Sequence, residues 1–129
     1  MVNPAGAVYC ATKFGVRAIA VAADISKKES VAELFSRSEE EYGRLDILVL
    51  NAARAPFKSW DRLLERELRQ LVETNFLGNV YCMQRALSSL SERGGAIVFL
   101  SSLGSRFYNP DYPLGTMKQN LIPTNIRII

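Results

Sequence analysis

A tyrosine and a lysine four positions apart, Tyr9 and Lys13, are the first residues whose types and spacing could do chemistry. On a helix, two residues at this spacing share one face. A nearby ammonium group favours the phenolate over the phenol, which lowers the pKa of the tyrosine and lets it exchange a proton with a carbonyl oxygen. The pair therefore indicates acid–base chemistry, and residues 1–17 around it are expected to form one or two helical turns.

Small or polar residues also follow three short apolar segments, which we interpret as buried strands of a parallel sheet. The segments are Ala18–Ala23, Leu45–Leu50 and Ala96–Leu100. The residues that follow them are Asp24, Asn51 to Ala53, and Ser101 with Ser102. Open parallel sheets bind ligands at the carboxyl ends of their strands, so these are candidate binding residues. The alternative is that Asp24 and Ser102 only cap helices and turns.

Two amphipathic helices connect these segments. Apolar residues recur at helical spacing from Lys27 to Tyr42, and Gly43 follows as a stop signal. A longer helix is predicted over residues 61–92, with a bend near Gly78. The order β-α-β-α-β predicts an α/β fold with an open parallel sheet. Residues 119–129 contain a proline and show no period that we can assign, so an irregular tail is expected there.

Asn75 falls on the apolar stripe of the longer helix, four residues after Leu71. A buried amide must find hydrogen-bond partners. One interpretation is that Asn75 satisfies a carbonyl group freed by the helix bend. The other is that it binds water or a backbone group at an active site, and the two interpretations are compatible.

The composition narrows the class of protein. With 48% hydrophobic and 22% charged residues the chain is globular, and its net charge of +3 without a basic run gives no indication of nucleic-acid binding. The absence of histidine excludes Ser/His and Cys/His pairs and removes the commonest zinc ligand, so no metal site is expected. Cys10 and Cys82 have apolar neighbours, which favours buried free thiols in a reducing compartment. No apolar run is long enough for a signal or a membrane span, and we expect a cytoplasmic protein.

Several of these segments together resemble the short-chain dehydrogenase/reductase family over about residues 18–118. Residues 22–26 (AADIS) and 43–53 (GRLDILVLNAA) are similar to its third and fourth strands. Residues 73–78 (ETNFLG) are similar to its helix with an active-site asparagine, and 94–105 (GGAIVFLSSLGS) to its fifth strand. The resemblance implies a partial Rossmann-like sheet of about three strands with flanking helices, in which the family's first two strands are missing.

The resemblance also implies roles for the candidate residues and a nicotinamide cofactor, NADP or NAD. Asp24 with Ile25, and Asn51, Ala52 and Ala53, would contact the cofactor. Asn75 would order water, and Ser102 would hydrogen-bond the substrate oxygen. The substrate would be a small carbonyl compound or an acyl thioester.

Two segments resemble the family's helix with a catalytic tyrosine and lysine. Residues 101–118 are similar to enoyl-acyl carrier protein reductases of the third bacterial type, with Tyr112 ten residues after Ser102. Lys118 follows Tyr112 by six residues where the family has seven, which turns a helical lysine by about 100°. Residues 5–19, with Tyr9 and Lys13, are similar to the carbonyl reductases, in which this segment follows the serine strand. We therefore interpret residues 1–17 as a displaced active-site segment and the chain as a fragment or chimera.

The family's phosphate-binding motif, Thr-Gly-x-x-x-Gly-x-Gly, does not occur in the 129 residues, and Leu50 and Ala53 replace an asparagine and a glycine of the fourth-strand motif. Backbone amides of that glycine-rich loop hold the cofactor's pyrophosphate, so weak or absent cofactor binding is expected, and autonomous activity is not expected. Two hypotheses remain. One is NAD(P)-dependent reduction of a carbonyl or enoyl thioester. The other is a non-catalytic remnant with a Rossmann-like core that forms homo-oligomers through the helix around residues 61–92.

Overall fold

The computed structural model describes residues 18–91 and 94–100 and the backbone of residues 125–128. The helices are α1 (Lys28–Tyr42), α2 (Glu65–Val72) and α3 (Asn79–Ser91), with a 3-10 turn at Trp60–Arg62 and a π-helical turn at Glu73–Gly78. The strands are β1 (Ile47–Leu50), β2 (Gly95–Phe99) and β3 (Asn125–Ile128). The predicted α/β class with a Rossmann-like parallel pair of strands and flanking helices is confirmed.

Helix α1 agrees closely with its sequence pattern. Val31 and Phe35, one turn apart, are buried against the rest of the core. The helix ends at Gly43, whose φ of 77° is in the left-handed region, and its N–H donates to the carbonyl of Glu39 at 2.7 Å. Glycine adopts this conformation without the steric cost that a Cβ atom would bring, so the stop signal acts as predicted.

The longer helix starts later than predicted and changes its winding midway. Leu63 and Leu64 are extended, so the regular helix begins at Glu65 rather than at Asp61. Helix α2, the π-helical turn and α3 then follow one another directly, and the π-helical turn ends at Gly78, where the sequence indicated a bend. A π-helical turn takes up an extra residue, which rotates the following residues around the helix axis. The predicted apolar stripe is therefore wrong in part beyond the turn, because Leu87, which belongs to it, is exposed, while Cys82 and Ala86, which do not, are buried; Leu90 is buried as predicted.

The sheet has the order β1-β2-β3. Strands β1 and β2 are parallel, with Val49 opposite Val98 and Leu50 opposite Phe99, and the helices α2 and α3 lie between them in the chain. Strand β3, which the sequence did not predict, is antiparallel to β2, with Ile126 opposite Ile97, so the sheet is parallel between β1 and β2 and antiparallel at β3. The expectation of an irregular tail is also wrong at residues 125–128, whose backbone forms this strand.

The first predicted strand, Ala18–Ala23, forms only an isolated bridge at Ala22. Four of its six residues are alanine, which has low strand propensity and buries little apolar area. Ile19 and Val21 are half-buried and Ala23 is buried, so the segment packs against the rest of the protein without forming a regular strand of the sheet.

The core lies between one face of the sheet and the helices α1 and α3. Its members are Ile25, Val31, Phe35, Leu50, Cys82, Ala86, Leu90, Ile97 and Phe99. The opposite face of the sheet carries exposed side chains, including Ile47 (59% exposed) and Val49 (53% exposed). The expectation that both strands are fully buried is therefore wrong, because the described helices that pack on the sheet cover only the other face.

A half-buried ion pair joins the two helices over this core. Arg85 on α3 donates to Glu39 on α1 at 2.5 Å, and the Ser89 hydroxyl donates to the second carboxylate oxygen at 2.9 Å. The Arg85 guanidinium also lies 5.5 Å from the centre of the Phe35 ring, within the range of a cation–π contact. Across residues 18–91 and 94–100, no helix has both the length and the apolar character that a membrane crossing requires.

Candidate functional site

The side chain of Asn75 binds the loop that follows β1. Its Oδ1 accepts a hydrogen bond from the N–H of Arg54 at 2.7 Å, and its Nδ2 donates to the carbonyl of Arg54 at 2.7 Å. Arg54 comes directly after Asn51, Ala52 and Ala53. The π-helical turn therefore presents an amide that satisfies both backbone groups of one loop residue, at the carboxyl end of a parallel strand.

The two ends of this loop are also held. At its start, the carbonyl of Leu50 accepts from the N–H of Leu100 at 3.0 Å, which ties the end of β1 to the end of β2. At its far end, Lys58 donates to Glu67 on α2 at 2.6 Å. The other oxygen of Glu67 accepts from the N–H of Leu64 at 3.0 Å and caps the helix. The hydrogen bond from Lys58 lowers the pKa of Glu67, which keeps this carboxylate charged.

Asp24 and Ile25 lie in the turn that leads into α1. The Oδ1 of Asp24 accepts from the Ser26 hydroxyl at 2.7 Å and from the Ser26 N–H at 3.1 Å. The Asp24 N–H donates to the Ser30 hydroxyl at 2.9 Å. These bonds agree with the interpretation that Asp24 caps the turn. The Asp24 side chain is nevertheless exposed, so it is also accessible to a ligand at the end of the Ala18–Ala23 segment.

Gly78 brings this turn against the π-helical turn. A Cβ atom built on Gly78 would lie 2.8 Å from both the carbonyl oxygen and the Cγ1 of Ile25. Only a residue without a side chain allows the helix to approach the backbone of the turn this closely. One short helical segment, Glu73–Gly78, thus contacts both the turn at Asp24 and the loop at Arg54.

The structure therefore brings together two groups of predicted residues around the π-helical turn: Asp24 with Ile25, and the loop that begins at Asn51. The observed bonds of Asn75 are to backbone, one of the two roles that the sequence left open, and the ordering of water by Asn75 stays a prediction. The predicted residues Ser102, Tyr112, Lys118, Tyr9 and Lys13 lie outside the described residues.

Sequence reasoning missed two residues of this arrangement. The sequence predicts Gly78 only as a bend, and it gives no prediction for Asn79, which is fully buried. The sequence signal is the run Leu77-Gly78-Asn79, which places a glycine and a second amide inside the otherwise apolar stretch 76–83. A groove of about 380 Å³ lies elsewhere, between residues 19–21 and the later turns of α1, and none of the predicted site residues lines it.

Three comparisons relate this arrangement to known proteins. A family profile described as short chain dehydrogenase matches residues 12–114. An uncharacterized oxidoreductase of Methylorubrum extorquens is 29% identical over 133 aligned residues, which cover 94% of this chain and 53% of that protein. The 3-oxoacyl-[acyl-carrier-protein] reductase FabG of Staphylococcus epidermidis is 31% identical over 97 residues, which cover 74% of this chain and 40% of that protein.

A solved structure, ElxO with NADP bound, superposes with a TM-score of 0.69 at 27% identity, over 78% of this chain and 42% of that chain. The chain thus spans about half, or less, of the length of the relatives it matches. A profile match over most of the chain and a shared fold with these proteins lead to one conclusion: the chain belongs to the short-chain dehydrogenase family.

Proposed function

We propose that the chain is an NAD(P)-dependent oxidoreductase segment that acts in the reduction of a carbonyl compound or an enoyl thioester. The observation that carries the proposal is the pair of hydrogen bonds from Asn75 to Arg54. They fix the loop beyond Asn51 to Ala53 at the sheet edge where parallel α/β folds bind ligands.

The residues at this edge fit the adenosine part of a dinucleotide. Ala53 is exposed and Ala52 half-buried, and such small side chains let a flat ligand approach the backbone closely. The exposed Asp24 carboxylate can accept hydrogen bonds from an amine or a hydroxyl group. Asp24 with Ile25, and Asn51 to Ala53, would hold the cofactor, with NADP or NAD as alternatives. The pyrophosphate would be held weakly, because the 129 residues contain no glycine-rich phosphate motif.

The chemistry needs a hydride, a proton and a polarised carbonyl group. The cofactor supplies the hydride when it is bound. Ser102 would donate a hydrogen bond to the substrate oxygen. The phenol of a tyrosine would deliver the proton, and a neighbouring lysine would make this easier by stabilising the phenolate that remains. Tyr112 with Lys118 and Tyr9 with Lys13 remain alternative pairs for this step.

Titration of the chain with NADPH tests the proposal. The single tryptophan, Trp60, lies in the 3-10 turn just beyond the loop and is exposed, so energy transfer from it to the bound nicotinamide reports binding. We expect a saturable signal. In Asn75→Ala the affinity for NADPH should fall about tenfold, because the loop loses one to two hydrogen bonds. Gln70→Ala, which removes an exposed amide one turn earlier on α2, is the matched control and should bind like the parent chain. No response at millimolar NADPH would refute cofactor binding by this chain.

A second candidate is the non-catalytic, self-associating remnant. Its support is a set of exposed apolar side chains in this region: Leu64 just before α2, Val72 on α2 and Leu87 on α3. If this candidate is right, sedimentation velocity detects a dimer that Leu87→Glu dissociates, and NADPH leaves the melting temperature unchanged. A rise in melting temperature with NADPH would contradict it.

A further inference from the structure

Asn79 is the first residue of α3 and is fully buried. It lies next to Gly78, at the point where the π-helical turn gives way to regular α-helix. A buried amide in a helix is unfavourable unless its polar atoms are paired, so its bonds indicate what it does.

The side chain of Asn79 replaces a backbone hydrogen bond that the π-helical turn has displaced. In an α-helix the N–H of Asn79 would bind the carbonyl of Asn75, but here it donates to the carbonyl of Phe76. The Nδ2 of Asn79 instead donates to the carbonyl of Asn75 at 2.6 Å. Because a carbonyl oxygen only accepts, this contact also fixes which end of the amide is the nitrogen.

The second polar atom of Asn79 has no such compensation. Its Oδ1 is buried and accepts no hydrogen bond from the described residues. A leucine of nearly the same shape would avoid this cost but would leave the carbonyl of Asn75 without this hydrogen bond, so the two effects offset each other and core stability alone does not explain an asparagine here. What the amide does provide is a fixed position for the main chain of Asn75, whose side chain holds Arg54.

We propose that Asn79 is a positioning residue for the loop at Asn51 to Arg54, acting through Asn75. The chain of bonds runs from the Asn79 amide to the carbonyl of Asn75, and from the Asn75 amide to both backbone groups of Arg54. The geometry is independent of any ligand. Its importance for cofactor binding rests on the proposed function of the loop.

The test is hydrogen exchange of the Arg54 amide, which Asn75 protects in an otherwise irregular loop. In Asn79→Leu we expect this amide to exchange about tenfold faster, the equivalent of one lost hydrogen bond, while the denaturation midpoint changes little. Asn79→Ala provides a second variant if the leucine does not fit. Cys82→Ala, which removes a buried side chain one turn further along α3 without touching the loop, should lower the midpoint and leave the relative protection of Arg54 unchanged.

A double-mutant cycle separates this role from general loosening of the helix. In an Asn75→Leu background, Asn79→Leu should add less than about a twofold acceleration at Arg54, because the link is already cut. Unchanged Arg54 exchange in both Asn79 variants, or full additivity in the cycle, would overturn the proposal. If the parent chain fails to bind NADPH but the Arg54 amide still exchanges faster in Asn79→Leu, the positioning role stands and only the proposed function fails.

Discussion

Replacing Gly78 with alanine places a methyl group where the π-helical turn meets the turn before α1. The new Cβ would lie 2.8 Å from the Ile25 carbonyl oxygen and from Ile25 Cγ1, about 0.6 Å inside ordinary contact distance. Ile25 is buried and one of the two contacts is backbone, so a rotamer change alone cannot relieve the overlap. Either the helix or the turn must move.

Two opposing terms decide the sign of the effect. Alanine in place of glycine stabilises a helix interior by about 1 kcal/mol. Overpacking a fixed site costs about 1–3 kcal/mol, and the backbone contact places Gly78 near the upper end of that range. We therefore expect Gly78→Ala to lower the free energy of unfolding by about 2 kcal/mol.

Urea denaturation followed by far-ultraviolet circular dichroism measures this change. Gln84→Ala, at an exposed position of α3, controls for helix propensity and should change the free energy by less than about 0.5 kcal/mol. Ile25→Ala removes Cγ1 but keeps the carbonyl, so it should relieve part of the cost of Gly78→Ala in the double mutant. An increase in stability in Gly78→Ala, as helix propensity alone predicts, would show that the contact between Gly78 and Ile25 is not as tight as the structure indicates.

Three further outcomes follow from named contacts. The hydrogen bond from Arg85 lowers the pKa of Glu39, so this pair stabilises the fold above the ordinary carboxyl pKa of 4.5 and its contribution disappears as pH falls below that value. Glu39→Gln should lower the free energy of unfolding by about 0.5–1 kcal/mol at neutral pH and should reduce its fall at acid pH. Urea denaturation at a series of pH values measures this, and identical pH dependence in the variant and the parent chain would contradict it. Burial raises the pKa of the Cys82 thiol to about 11, so in a Cys10→Ser background the folded chain should resist iodoacetamide and react only as fast as it unfolds. Gly43→Ala should lower the free energy of unfolding by about 1 kcal/mol, from backbone strain alone, because a Cβ at this position meets no atom within 4 Å. Gly43→Asn should lower it less, because asparagine tolerates the left-handed conformation better than alanine. Thermal denaturation measures both changes.

The sequence predicted the elements whose signals are local. Helix α1 and its end at Gly43 follow from spacing and a stop residue, and β1 and β2 follow from short apolar runs. The Ala18–Ala23 segment has the same apolar character, but a strand also needs a neighbouring strand, and that depends on the rest of the sheet. Apolar runs also could not reveal that one face of β1 and β2 is exposed, because both faces carry similar residues.

The long helix shows why the site was only partly predictable. A uniform period of 3.6 residues across residues 61–92 predicts one continuous buried face, whereas the π-helical turn at Glu73–Gly78 shifts that face. Asn75 was therefore expected to be buried, yet it is half-buried and reaches Arg54, and the fully buried amide is Asn79. The polar character of Asn75 was a correct signal for the site, but its partner in a loop 21 residues earlier in the chain depends on tertiary contact.

The proposed function depends most on cofactor contact with the turn at Asp24 and with the loop after β1. Nitrogen–proton correlation spectra of the labelled chain, recorded during titration with NADPH, test it at residue resolution. We expect saturable shifts at the amides of Ile25, Ala52, Ala53 and Arg54, with little change at exposed residues of α3 such as Gln84. Absence of shifts at saturating NADPH, or shifts confined to residues away from this turn and loop, would contradict it.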